Sequence, residues 1–164
     1  MSIDLIIRRA TAADLPAIVA MLADDELGRQ REQLSDPLPA AYLTAFAAID
    51  RDPQHELIVG TFAGATICTL HLTCLPSLSF QGGTRAQIES VRVAQPYRGQ
   101  GIGSVLFQWA IAHARARGCH MIQLTTAAQR TAAQRFYTRL GFSASHVGMK
   151  LFLSAAPISA PDLS

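Results

Sequence analysis

Six consecutive residues, Arg98-Gly99-Gln100-Gly101-Ile102-Gly103, form the most chemically directed pattern in the chain. Glycine at alternate positions lets the backbone turn tightly and brings no side chain to hold a ligand off. The apolar periodic run Ile102–Ala116 follows and predicts a helix. A glycine turn that opens a helix aims free N–H groups and the positive end of the helix dipole at one spot. That arrangement favours an anion, most naturally a phosphate. The spacing is not that of a dinucleotide loop, because Leu106 stands where G-x-G-x-x-G needs its third glycine. Nor is it a P-loop, since Ser104-Val105 follows Gly103 in place of Lys-Ser or Lys-Thr. Other reactive side chains are scattered. His71, His113, His120 and His146 have no metal-ligand spacing and read as structural or exposed, while Cys68, Cys74 and Cys119 form no C-x-x-C pair. No disulfide framework and no metal site is expected, and no partner that would activate Cys119 is evident.

The loop needs elements to position it. Gln87-Ile88-Glu89-Ser90-Val91-Arg92-Val93, just upstream, alternates apolar and polar residues and predicts a strand with two different faces. Residues 5–9 predict a first strand. Thr11 and Asp14 then make a capping box for a helix with Leu15, Ile18, Val19 and Leu22 on one stripe, and Pro16 sits in its first turn, where a missing N–H costs little. Residues 24–36 are polar and aperiodic, a loop or short irregular helix. Helical spacing resumes through Tyr42, Leu43, Phe46 and Ile49. A hairpin is predicted over 56–62 and 65–75 around Ala63-Gly64, followed by a loop over 76–83. The helix from Ile102 should stop at Gly118. Beyond it come a strand over 121–125, a helix capped by Thr131 and ending at Gly141, and a closing hairpin over 142–147 and 149–153.

Composition bounds the function class. The chain has 164 residues, 49% hydrophobic and 16% charged, with a net charge of +2 and a pI near 8.6. One domain over residues 1–153 with a loose tail over 154–164 is expected. Its arginines are scattered and Lys150 is the only lysine, so nothing points to nucleic acid. No stretch is long enough to cross a membrane and no signal pattern opens the chain, so a cytoplasmic protein is expected.

Arg98, Gly101 and Gly103 occupy the defining positions of R/Q-x-x-G-x-G/A, and Ala133-x-x-Phe136-Tyr137-x-x-x-Gly141-Phe142 supplies a second signature. Together with the element order, these resemble the GNAT superfamily of acetyl-CoA-dependent N-acetyltransferases over residues 3–153. The resemblance implies an α/β (α+β) fold with a mixed central sheet of about seven strands, a splayed central pair and about four helices. It also implies direct transfer of acetyl from acetyl-CoA to a primary amine of a small molecule. A peptide or protein amine, a longer acyl chain, and a non-catalytic CoA sensor or scaffold are the alternatives, and a homodimer is left open.

Residue roles follow from the same resemblance. The backbone of Arg98, Gly99, Gln100, Gly101, Ile102, Gly103 and Ser104 would hold the pyrophosphate, and the Arg98 side chain could add charge. Val91, Arg92 and Val93 would offer main-chain groups to the pantetheine arm, with an N–H near Val91 polarising the thioester. Glu89, two residues before Val91 and so expected on its face in a partly buried setting, would act as general base through water. Tyr137 would protonate the departing thiolate, with Phe136 beside it. Arg130 replaces the family's usual Asn, so that contact is not carried over; an arginine there could reach a CoA phosphate or an acceptor carboxylate. The segment with Asp24, Asp25, Glu26, Arg29, Arg31 and Glu32 would line the acceptor pocket.

Overall fold

Strand pairing sets the architecture. The computed structural model describes residues 4–151 and residue 153. Its one sheet has the order β1 (Ile6–Arg9), β2 (His55–Phe62), β3 (Ala65–Pro76), β4 (Thr84–Val93), β5 (Cys119–Leu124). Strands β1 to β4 pair antiparallel, and β5 lies parallel to β4. The helices are α1 (Leu15–Ala23), α2 (Glu26–Arg31), α3 (Ala40–Arg51), α4 (Ser79–Gly82), α5 (Ile102–Ala116) and α6 (Thr131–Arg139). The mixed α/β fold is as expected, but the described residues form five strands rather than seven and six helices rather than four. The missing pair is the closing hairpin, since residues 142–151 and 153 take no strand conformation. Val147, Met149, Leu151 and Leu153 are all exposed, so the apolar residues of the expected hairpin have no packed surface beneath them.

The β2–β3 hairpin forms where expected. Ala63 (φ 49°) and Gly64 (φ 80°) both adopt the left-handed conformation that a two-residue hairpin turn demands. The two faces of the sheet are told apart by what touches β2. Leu57 and Val59 pack with Ile18 and Met21 of α1 and Phe46 of α3. Glu56 points the other way, where His113 Nε2 lies 3.0 Å from its carboxylate and Arg117 donates to it. The α5 face is the drier one: Ile58, Leu70, Leu72 and Ile88 of the sheet and Leu106, Phe107 and Ala110 of α5 are each at most 1% exposed. Cys74 and Cys119 meet there with their sulfurs 3.7 Å apart, a thiol contact that spacing along the sequence did not suggest.

Asp14 anchors the start of the chain. Its carboxylate accepts from the Thr11 N–H (2.8 Å) and hydroxyl (2.9 Å), as the capping box predicts. It also takes both arms of the Arg8 guanidinium (2.8 and 2.9 Å) and the Thr66 hydroxyl of β3 (2.6 Å). The chain divides into two compact units after Leu124. The sheet and α1 to α5 belong to the first, and α6 to the second.

Candidate active site

β4 and β5 part company halfway along. Their pairing ends at Ile88 with Leu124, where β5 stops, while β4 continues to Val93. Residues 89–93 therefore keep β3 on one edge and have no β5 partner on the other. The Ala94 N–H donates to the Ile67 carbonyl of β3 at 2.8 Å. By strand alternation Arg92 also turns its main chain toward β3, and the main-chain groups of Val91 and Val93 face the gap. Two arginines cap the carbonyls there. Val91 O accepts from Arg92 Nη1 and Val93 O from Arg98 Nε, each at 2.9 Å. The N–H groups of the two valines point into the same gap.

The glycine loop opens beside it. Gly99 (φ 76°) and Gly101 (φ 81°) are left-handed, a conformation that side chains resist, and the space above both is empty to 4 Å. Gly101 caps α5. Its carbonyl receives the Ser104 and Val105 N–H groups at 2.9 and 3.1 Å, which leaves those of Gly101, Ile102 and Gly103 at the open end of the helix. Gln100 braces the loop through Nε2 to the Pro96 carbonyl (2.8 Å). Converging amides beside a strand edge with unpaired amides fit a diphosphate joined to an extended, amide-bearing arm.

The acids of the α1–α2 junction answer the two arginines. Asp24 holds Arg98 Nη2 at 2.7 Å, Asp25 lies 3.6 Å from Arg92, and Asp25 also caps α2 by accepting from the Gly28 N–H at 2.6 Å. Glu32 accepts from the Tyr42 hydroxyl at 3.0 Å. Three of the acids expected to line the acceptor pocket are thus already engaged by protein groups. Gly28 lets α2 come this close, because a Cβ on it would lie 2.0 Å from the Leu22 carbonyl oxygen.

Glu89 sits at an irregularity that the sequence did not announce. Ser90 is left-handed (φ 53°), and the register places Ser90 and Val91 of β4 opposite Leu70 alone, a β-bulge. The bulge breaks the two-residue alternation. Glu89 and Arg92, paired with His71 and Thr69, share the α1 face, whereas Val91 does not share the face of Glu89 as expected. Glu89 is also exposed rather than partly buried. The residue that reasoning from sequence passed over is His71, its cross-strand partner. His71 Nε2 lies 3.0 Å from His55 Nδ1, and the Thr73 hydroxyl lies 3.2 Å from that same nitrogen. Burial and the neighbouring His55 lower the pKa of His71, with Glu89 partly offsetting them. Only the register of three strands brings these residues together.

Arg130, Phe136 and Tyr137 lie in the second unit. Arg130, not Thr131, occupies the N-cap of α6, without a side-chain cap bond. Tyr137 packs edge-on against Phe136 (5.4 Å between ring centres) and Phe142 (6.0 Å). Among the described residues no cluster of His, Cys, Asp or Glu could hold a metal, and no helix is long and apolar enough to cross a membrane.

A splayed parallel pair followed by an amide-lined loop at a helix start defines a protein that binds a phosphorylated, extended cofactor. The model of the acetyltransferase (GNAT) family matches residues 17–142, and the chain belongs to that family as an acetyl-CoA-dependent N-acetyltransferase. The aminoalkylphosphonate N-acetyltransferase of Salmonella typhimurium LT2 is 30% identical over 146 residues, which cover 85% of this chain and 86% of that one. N-alpha-acetyltransferase 30 of Schizosaccharomyces pombe is 34% identical over 99 residues, 60% of this chain and 56% of that one. The crystal structure of a transcriptional regulator from Bacillus halodurans C-125 superposes with a TM-score of 0.88 at 51% identity, covering 90% of this chain and 99% of that one.

Proposed function

We propose that the protein acetylates a primary amine of a small molecule directly from acetyl-CoA, with Glu89 as general base through water and Tyr137 as general acid. The observation that carries the cofactor side is the pair of main-chain edges, Val91 and Val93, facing a gap that leads to the free amides at Gly101, Ile102 and Gly103. Bound acetyl-CoA supplies the acetyl group as a thioester. The loop amides would grip its diphosphate, the valine N–H groups would align its arm, and an N–H near Val91 would stabilise the oxyanion, a donation worth about 3 kcal/mol in other enzymes. An alkyl amine has a pKa of about 10.4 and arrives protonated at neutral pH, so a base must act first. Glu89 stands on the α1 face where an acceptor could enter, exposed enough to share a water with it. Tyr137 would return a proton to the thiolate, since a phenol with a pKa of about 10 is matched to a thiol. We take residues 1–153 as one domain, because the family match runs across the boundary at Leu124.

The acceptor class draws support from the α1 face. His71, Gln87, Glu89 and Arg85 all lie on it, and the buried Arg85 Nε has no hydrogen-bond partner among the described residues. A guanidinium with its Nε unsatisfied suits an acceptor that carries an anion as well as an amine, and the Salmonella relative is named for such a substrate. Similarity to the Schizosaccharomyces N-alpha-acetyltransferase supports a second reading, a peptide amine. Nucleic acid is left out of the proposal, because the net charge is only +2. An acetylation screen decides among these. Polyamines, amino acids, aminoalkylphosphonates and short peptides are offered in turn and released CoA is measured. Turnover with a small amine is expected; turnover with peptides alone would move the assignment to the second reading.

A further inference from the structure

The base assigned to Glu89 must lose its proton before each new turnover, and its cross-strand neighbour offers a way out. Directly opposed side chains on an antiparallel pair have Cβ atoms about 5 Å apart. His71 is so opposed to Glu89, His55 Nδ1 lies 3.0 Å from His71 Nε2, and His55 Nε2 lies 3.9 Å from Asp52 at the surface. Resting on the Glu89 reading above, we propose that His71 and His55 relay the acceptor's proton from Glu89 to solvent at Asp52.

The hydrogen-bond pattern suits one polarity. With the His55 Nδ1 lone pair accepting from both His71 Nε2–H and the Thr73 hydroxyl, His71 keeps a free lone pair on Nδ1. The ammonium N–H breaks and its proton bonds to a Glu89 carboxylate oxygen, through water, leaving the amine lone pair for attack. The proton then passes to His71 Nδ1 as His71 Nε2–H moves to His55 Nδ1, and His55 Nε2–H leaves toward Asp52 and bulk water. No electrons change hands. Glu89 is returned as carboxylate, and exchange with water restores the two tautomers.

The surroundings leave His71 neutral and in contact with His55. From β4, Glu89, Arg85 and Arg92 share this face, and Arg92 is held by Asp25 and its neighbouring carbonyl. Of the helices on this side, α1 has no ionisable residue. α3 carries Asp50 and Arg51, the first 3.8 Å from Arg9 and the second bonded to the Ala47 carbonyl. Burial and His55 keep His71 unprotonated, as a relay that must accept a proton requires.

H71Q and H55Q test the relay, with CoA affinity measured by calorimetry and turnover by released CoA. Both variants are expected to bind CoA as the parent does. Each should lose roughly ten- to hundredfold in kcat/KM for the amine at pH 7, a deficit that closes toward pH 10 as free amine becomes abundant. Added imidazole should restore H55Q, whose site is 34% exposed. Parental rates and pH profiles in H55Q and H71Q would overturn the relay while leaving the acetyltransferase reading intact. A parent enzyme that binds CoA but acetylates no amine would instead overturn that reading, and the relay with it. If H71Q fails to fold, H55Q alone decides.

Discussion

Glu89, the proposed base, stands on an exposed strand position immediately before the bulge at Ser90. Glu89→Gln keeps the shape and removes the proton acceptor. We expect a fall of about a hundredfold in kcat/KM at pH 7, shrinking as pH rises, with CoA affinity unchanged; a pH-independent deficit would count against the base. Tyr137→Phe leaves the contacts with Phe136 and Phe142 in place. It should lower kcat by about tenfold or more without lowering the melting temperature, and an unaltered rate would return Tyr137 to a packing role. The Glu89 role loses the support that sequence reading drew from a shared face with Val91 and from partial burial, and now rests on its exposed place on the α1 face. The contact proposed for Val91 uses main chain rather than a side chain, so the face its side chain takes does not bear on that proposal.

At the scale of elements, the α1–α2 junction and the glycine loop share Arg98. Asp24 and Arg98 are 43% and 46% exposed, so their pair is worth about 1 kcal/mol at most, and a diphosphate can displace Asp24. Asp24→Asn should therefore tighten CoA binding by about two- to fivefold at low salt and less at high salt, as titration calorimetry can measure. Where sequence reading succeeded, the determinant was local. The Ile102–Ala116 helix was read with its observed ends because Gly101 caps it and Gly118 (φ 73°) follows it. The left-handed turn at Ala63-Gly64 was legible for the same reason. Ser90 was not, since a serine carries no signal for positive φ. The His71–His55 contact was hidden too, because it depends on the register of two strands, and the local arginine caps on Val91 and Val93 form only where β4 has lost its β5 partner. At the other extreme, the closing hairpin expected over 142–147 and 149–153 does not form among the described residues, where Val147, Met149, Leu151 and Leu153 are exposed.

For the whole molecule, Asp14 is the charge on which folding most visibly depends. It is 5% exposed, and the Arg8 guanidinium, helped by the Thr66 and Thr11 hydroxyls, holds its carboxyl far below the usual range against the cost of burial. With the folded pKa depressed, its stabilisation is full above the unfolded value of about 3.9 and fades as pH falls below it. Asp14→Asn should cost about 2–4 kcal/mol at pH 7 by denaturant unfolding. The gap to the parent should hold constant down to about pH 5 and then narrow on further acidification; a gap that widened in acid would contradict the network.

The same dry interior has a practical side. Burial pushes the Cys68 thiol up to about 11, and burial with the Cys74 contact does the same for Cys119, while Cys74 itself is 2% exposed. At pH 8 a thiol of that acidity is ionised in about one molecule in a thousand. A chromogenic disulfide reagent added to the folded enzyme should therefore colour almost solely with coenzyme set free by catalysis, and the blank should stay low until the protein unfolds.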